Sequence, residues 1–277
     1  MIKEAMFVNQ NLHIHTTYAD GKDTPEEIVL KAVEKGFDSI GFSEHTYNAY
    51  SIYPNQMAIE EMTDYQKEIH RLKEKYQSQI EIFCGLEYEL YSDVPVEGFD
   101  YLIGSVHYLD INGRILGFDS GAEAVKSYLA DNFDGDGLKF AGKYYETLCR
   151  LPQKHPFDII GHFDLMTKTN ETLKFLDTTS KTYLRYGYEA IHSLKGKIPI
   201  FEVNTGAIAR GYRTAPYPQM EFLKEFKTCG FHPVITSDCH NKEFIDCCFD
   251  EAKELLLEAG FRTKCVLTAN GFEEVEL

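Results

Sequence analysis

The chain has 277 residues, 43% of them hydrophobic and 26% charged, which suits a folded globular protein with a large core and excludes a low-complexity or disordered one. Lys plus Arg number 28 against 44 Asp plus Glu, a formal charge of −16. A surface of that sign repels nucleic acid and anionic membrane, whose binding needs clustered cations, but it leaves a small anionic substrate open if the pocket differs from the surface.

Asn11-Leu12-His13-Ile14-His15-Thr16 reads as a strand over about residues 10–15. Alternate side chains of an extended segment share a face, so His13 and His15 point to one side and can grip one ion. Asp20 follows, before a helix start at Thr24-Pro25-Glu26-Glu27. There Thr24 caps, Pro25 takes the first helical position and Glu27 completes a capping box. Ile28, Ala32 and Val33 make the apolar stripe and Gly36 ends the helix. A second strand, 39–42, runs into Ser43-Glu44-His45; a loop through Tyr53 and Pro54 leads to a helix over 58–77. Strand three, 80–86, ends in Glu87, and strand four, 101–106, ends in His107.

An excursion from about 108 to 155 follows. Its Asp131-Asn132-Phe133-Asp134-Gly135-Asp136-Gly137 lacks the ligand alternation of a calcium loop: Leu138 stands where an oxygen belongs and no Glu closes the twelve residues. A turn between two helices is expected there, and the excursion reads as a lid. Strand five, 157–161, ends in His162 and Asp164. A helix over 178–195 precedes strand six, 198–203, with Glu202-Val203-Asn204-Thr205 at its end. A helix over 219–228 stops at Gly230, and strand seven, 232–236, runs into Ser237-Asp238-Cys239-His240. A last helix, 243–259, stops at Gly260, and a short strand near 264–267 is expected to cover an edge.

Seven strand-then-helix units imply parallel strands, because parallel pairing needs crossover connections. With no linker or composition shift to divide residues 1–277, the expected fold is one α/β domain, a seven-stranded (β/α) barrel. In such barrels the reactive groups gather at the carboxyl ends of the strands. His13, His15, His45, His107, His162 and His240, with Asp20, Glu87 and Asp238, all fall there. Nine donors are too many for one tetrahedral ion and suit two or three. A mixed imidazole and carboxylate set favours zinc, iron or manganese over calcium or magnesium. His70, His155, His192 and His232 lie on helices or before prolines and read as structural. The first residues carry no basic stretch followed by an apolar one, and no run approaches about 18 apolar residues. Seven cysteines, odd in number, scattered and including the adjacent pair Cys247-Cys248, point to free thiols in a reducing compartment. A cytoplasmic protein is expected.

In this order, His13-x-His15, Asp20, His45, Glu87, His107, His162 and Asp238-x-His240 resemble the polymerase-and-histidinol-phosphatase (PHP) superfamily over nearly the whole chain. Within it, the stretch from Tyr145-Glu146 to Gly161-His162-Phe163-Asp164, and Glu202-Val203-Asn204-Thr205 followed by Arg210 and Tyr217-Pro218, resemble the histidinol-phosphatases. The resemblance implies a distorted barrel holding a trinuclear site. His13, His15, Glu87 and Asp238 would hold the first ion. Glu87 would bridge to a second held by His107 and His162, and Asp20, His45 and His240 would hold a third. Glu89, facing the same way as Glu87, is the rival bridge. The implied reaction is hydrolysis of L-histidinol phosphate to L-histidinol and phosphate in histidine biosynthesis. Asp238, Glu87 and His240 would act in catalysis, Arg210 and then Arg213 would bind the phosphate, and the partner is a small phosphate ester, not nucleic acid or membrane. Two other readings stay open: a phosphoesterase or phosphodiesterase acting on another small ester or nucleotide, and a metal-dependent amidohydrolase, in which a carboxylated lysine commonly fills the place of Glu87.

Overall fold

In the computed structural model, which describes residues 8–51 and 55–277, seven parallel strands form one sheet that curls until its two edges nearly meet. The loop expected at Tyr53 and Pro54 lies outside the described residues. In chain order the elements are β1 (Gln10–Asn11), α1 (Pro25–Glu34), β2 (Ser39–His45), α2 (Met62–Tyr76), β3 (Glu81–Glu89), β4 (Tyr101–Ser105), β5 (Tyr108–Ile111), β6 (Arg114–Gly117), α3 (Ala122–Phe133), α4 (Gly137–Leu148) and α5 (Leu151–Lys154). They continue with β7 (Ile159–Ile160), α6 (Asn170–Leu173), α7 (Lys181–Leu194), β8 (Ile200–Asn204), α8 (Gly206–Ala209), α9 (Met220–Cys229), β9 (His232–Thr236), α10 (Phe249–Glu258), β10 (Thr263–Thr268) and β11 (Gly271–Glu276). The sheet order is β1-β2-β3-β4-β7-β8-β9, the nearly closed α/β barrel of seven parallel strands expected from the sequence.

Each strand faces two environments, and the two-residue period sorts them. Ile82, Cys84, Leu86 and Tyr88 of β3 pack outward into the core shared with the helices, while Phe83 points inward with Leu12, Tyr101, Ile103, Ile159, Ile200 and Val234. Two residues beyond this inner apolar layer the chemistry changes: Ile103 is followed by Ser105, Ile200 by Glu202 and Val234 by Thr236, all buried. Gly41 and Gly85 are needed because a Cβ at either would run into the ring of Tyr101. That ring crosses the interior, its hydroxyl reaching the carbonyls of Leu12 at 2.5 Å and Phe42 at 3.1 Å.

Several boundaries differ from the sequence reading, each for a local reason. The first strand shrinks to two residues because His13 N–H donates to Asn11 Oδ1 (3.1 Å) and Ile14 N–H to Ser43 Oγ (3.2 Å) instead of to a ladder. The segment then crosses to β9's side, where His15 N–H donates to Cys239 O and Cys239 N–H to His13 O, closing the barrel. The last helix begins only at Phe249, after Cys248 adopts a left-handed backbone (φ 55°). The short strand near 264–267 lies against the sheet's edge strands β1 and β9, as expected. It pairs antiparallel with β11, which the sequence reading did not foresee, and sets Cys265, Leu267 and Phe272 against the inner apolar layer. Gln10 ties this hairpin on, its side-chain amide donating to Leu267 O and accepting from Leu267 N–H, both at 2.8 Å.

The excursion contains the expected helix–turn–helix, with Asp134 left-handed at the turn. It also contains an unforeseen hairpin, β5–β6, joined by Asn112-Gly113 with both residues at positive φ. Much of the 108–155 excursion expected as a lid is packed into the core. Phe140, Ala141, Tyr144, Tyr145 and Leu148 of α4 are buried in the main core, and Tyr145 packs against Phe163, Tyr183 and Phe222. The segment that borders the site is the hairpin with residues 117–120. No helix among the described residues is long and apolar enough to cross a membrane.

Candidate metal centre

The strand ends bring all nine expected donors to one place, with Glu87 at the middle. Parallel register sets His45 beside Glu87, and the two carboxylate oxygens divide the neighbours between them. Oε1 lies 2.7 Å from His162 Nε2 and 3.4 Å from His107 Nε2. Oε2 lies 2.7 Å from His45 Nδ1, 3.4 Å from His13 Nε2 and 3.6 Å from His15 Nε2. Asp238 Oδ1 stands 3.2 Å from His15 Nε2 and 3.7 Å from His13 Nε2. Asp20 Oδ1 meets His240 Nε2 at 3.3 Å and His45 Nε2 at 3.7 Å. Donor atoms fall within 4.8 Å of one another in three groups: His15, Asp20, His45 and His240; His13, His15 and Asp238; His45, Glu87 and His107.

These residues fit metal ions. His13 Nε2 and His15 Nε2 are buried without hydrogen-bond partners among the described residues, and orphaned polar atoms of that kind are costly unless something binds them. Two ligands of a tetrahedral zinc, at about 2.0–2.1 Å from the ion, sit roughly 3.3 Å apart. The spacings of 3.2, 3.4, 3.6 and 3.7 Å around His13 and His15 cluster near that value, and the longest two exceed hydrogen-bond range.

Charge follows the same pattern. Burial, with His45 and His240 nearby, lowers the His15 pKa to about 3, so its ring is neutral with a lone pair to give. Burial opposes ionisation of Glu87, but His45, His107 and His13 outweigh it and hold the carboxyl well below its usual range. Asp238 is likewise held ionised against burial, chiefly by Arg210 and His13.

A second layer fixes the ligands, and here the sequence reading fell short. Glu202 Oε2 lies 2.8 Å from His13 Nδ1, while its other oxygen accepts from His162 N–H at 2.5 Å and Asn204 Nδ2 at 2.9 Å. Such a partner fixes the tautomer of a ligating imidazole and aims its free nitrogen. A glutamate in the middle of a strand buried on both faces was the available signal. Glu89 plays the same part for His107, accepting from its backbone N–H (2.7 Å) and lying 3.1 Å from Nδ1. The central place is therefore filled by Glu87 and not by Glu89. Glu44, fully buried, accepts from Thr16 N–H and Oγ1 and stands 4.0 Å from His15 Nδ1.

The two expected substrate arginines part company. Arg210 reaches the centre, with Nη2 2.9 Å from Asp238 Oδ2 and Nη1 2.8 Å from His240 Nδ1. It lines a cavity of about 310 Å³ with Lys22, Tyr212, Phe244, Asp238 and His240. Arg213 turns away. Its guanidinium is held by Thr167 Oγ1, Ala215 O and Pro216 O and stacks 4.3 Å above the Tyr217 ring. Asp164 also stays out of the centre, accepting from Gln219 N–H. His70, His192 and His232 engage Gln66, Glu225 and Glu274 elsewhere.

Comparison with known proteins gives this arrangement its family. Residues 11–191 match the PHP domain family. A Schizosaccharomyces pombe protein named probable histidinol-phosphatase is 28% identical, covering 90% of this chain and 85% of its own. One of the same name from Deinococcus radiodurans is 27% identical, covering 91% and 94%. The histidinol phosphate phosphatase of Lactococcus lactis, whose crystal structure holds zinc, L-histidinol and phosphate, superimposes with a TM-score of 0.74 over 96% of this chain and 98% of that one, at 20% identity. On the match across residues 11–191 and on the donors gathered around Glu87, the chain belongs to the PHP domain family.

Proposed function

We propose that the protein is a histidinol-phosphatase, a hydrolase that takes L-histidinol phosphate to L-histidinol and phosphate. The observation that carries this reading is the gathering of all nine donors at the strand ends, eight of them in groups that could hold an ion and His162 at 2.7 Å from Glu87, in a chain whose relatives of that name match it nearly end to end. The Lactococcus structure supports it further, with zinc and both reaction products bound on the same fold. Two or three divalent transition ions, zinc, iron or manganese, would be held by His13, His15, Asp20, His45, Glu87, His107, His162, Asp238 and His240. Bound ions of this kind supply an activated water at neutral pH and neutralise charge on phosphoryl oxygens.

The chain's own residues do the rest. Arg210 offers a planar, permanently charged donor pair beside Asp238, the geometry that suits a phosphoryl group. Asp238, held ionised and close to both His15 and His240, can accept a proton from the attacking water or orient it. Glu87, touching five imidazoles, sets the spacing of the two halves of the centre. A carboxylate in that place favours a PHP phosphatase over an amidohydrolase built around a carboxylated lysine. A cytoplasmic setting is proposed on the seven free cysteines.

The deciding experiment is a substrate panel on the metal-replete protein: histidinol phosphate, p-nitrophenyl phosphate, bis-p-nitrophenyl phosphate and a dihydroorotate-like amide. Histidinol phosphate should have the highest kcat/KM. A preference for the diester or for the amide would replace this reading with one of the alternatives.

A further inference from the structure

Tyr217 is buried to 0% exposure, and its hydroxyl has no hydrogen-bond partner among the described residues. A phenol placed so is unusual, because a buried tyrosine oxygen nearly always finds a partner. The position is not slack. Asn204 and Tyr217 exchange both backbone hydrogen bonds at 2.9 Å, which fastens the residue to the end of β8. Its ring stands at 70° to that of His162, 6.4 Å between centroids, and the Arg213 guanidinium covers one face at 4.3 Å.

The charges around Tyr217 are mixed: Arg213 and Arg210 on one hand, the carboxylates Asp119 and Asp164 on the other, and Asp119 faces Arg210 as well. Asp119 pairs with Lys168 at 2.8 Å, and the Lys168 ammonium lies 4.8 Å from the Tyr212 ring. On a chain of net charge −16, Lys168 and Arg213 thus lie over the rings of Tyr212 and Tyr217, the second of which faces the ring of His162. A phosphate monoester brought to the centre has three terminal oxygens, each able to accept more than one hydrogen bond, so a further donor can be used there.

We propose that Tyr217 is a further substrate-contacting residue whose hydroxyl donates a hydrogen bond to a phosphoryl oxygen, next to Arg210. Arg213, expected from the sequence to touch phosphate itself, is then a positioning residue acting through the tyrosine ring. The proposal rests on the phosphatase reading above and adds a donor to it.

The test compares wild type with Tyr217→Phe, which keeps the ring and removes the oxygen, using histidinol phosphate and p-nitrophenyl phosphate as substrates and inorganic phosphate as inhibitor. Metal content and Tm are measured alongside. Tyr217→Phe should lose about tenfold in kcat/KM on both substrates, with phosphate inhibiting several-fold less well and metal content unchanged. Arg213→Ala should show a smaller loss of the same kind that vanishes in the Tyr217→Phe background, where there is no hydroxyl left to aim. Wild-type kinetics and phosphate inhibition in Tyr217→Phe overturn the proposal. So does a loss confined to histidinol phosphate, which would make the phenol a proton donor to the leaving alcohol. Should the variant fold poorly, a wild-type crystal soaked in inorganic phosphate decides: an anion oxygen within hydrogen-bond reach of Tyr217 Oη supports the contact, and its absence there overturns it. If wild type ignores histidinol phosphate yet cleaves p-nitrophenyl phosphate, the substrate reading fails while Tyr217 is still tested on the second substrate.

Discussion

Glu202 fixes His13 from behind: its Oε2 lies 2.8 Å from the ring Nδ1, which turns Nε2 toward Glu87 and Asp238. The same carboxylate oxygen accepts from Thr236 Oγ1 at 2.8 Å, so Glu202 cannot swing away. Glu202→Gln places an amide where an acceptor is needed. The expected result is a loss of about 10–100-fold in metal affinity, read by metal analysis after dialysis, with the fold retained by circular dichroism. Full metal content and full turnover in this variant would detach Glu202 from the centre.

Glu87 and Glu89 lie on the same face of β3 but differ in what they touch. Glu87 meets five imidazoles, whereas Glu89 supports His107 alone. Glu87→Gln should therefore lower kcat by orders of magnitude and deplete metal. Glu89→Gln should behave as the loss of one supporting partner, about tenfold to a hundredfold. A reversed ranking would move the centre to Glu89.

Arg210→Ala should raise KM for histidinol phosphate tenfold or more, at about 1.4 kcal/mol per decade, and weaken inhibition by inorganic phosphate. Because the guanidinium also touches Asp238 and His240, metal content is measured in the same preparation and is expected to hold. An unaltered KM with normal phosphate inhibition shifts the phosphate contact to Lys168 or Tyr217.

Leu267 tests the floor of the barrel independently of the chemistry. It is 5% exposed and packs with the inner apolar layer, so Leu267→Ala should cost about 2–5 kcal/mol of stability, measured by denaturant unfolding. Turnover of the folded fraction should remain that of wild type. A variant of normal stability with impaired kcat would mean that hairpin and centre are coupled.

The barrel and the nine donors were legible because both depend on short-range regularities: a two-residue period along each strand, and polar residues where apolar runs stop. The supporting partners were hidden because they depend on cross-strand register. Nothing near His13 in sequence points to Glu202, 189 residues away, until β8 is set in the barrel. Arg210 and Arg213 are three residues apart, yet one faces the centre and the other away, a difference made by the turn at Gly211 (φ 73°), which local pattern does not encode. The β5–β6 hairpin was within reach, since Asn-Gly is the strongest two-residue hairpin signal and Asn112-Gly113 carries it. The errors of extent at β1 and at α10 occur where side chains or a left-handed residue interrupt regular backbone bonding.

With Tyr101 lying across its interior and the C-terminal hairpin stacked beneath, the barrel is a blind well. Among the described residues the base is filled by Phe83, Ile103, Ile159, Ile200 and Val234 above that hairpin, so under the proposed reaction the ester would enter, and both products would leave, through a doorway on the rim side. Each product should then compete with fresh substrate for the doorway, and the pace of repeated turnover should respond to what borders it (the β5–β6 hairpin on one side, Phe244 and Tyr212 on the other) as much as to the groups that carry out the chemistry.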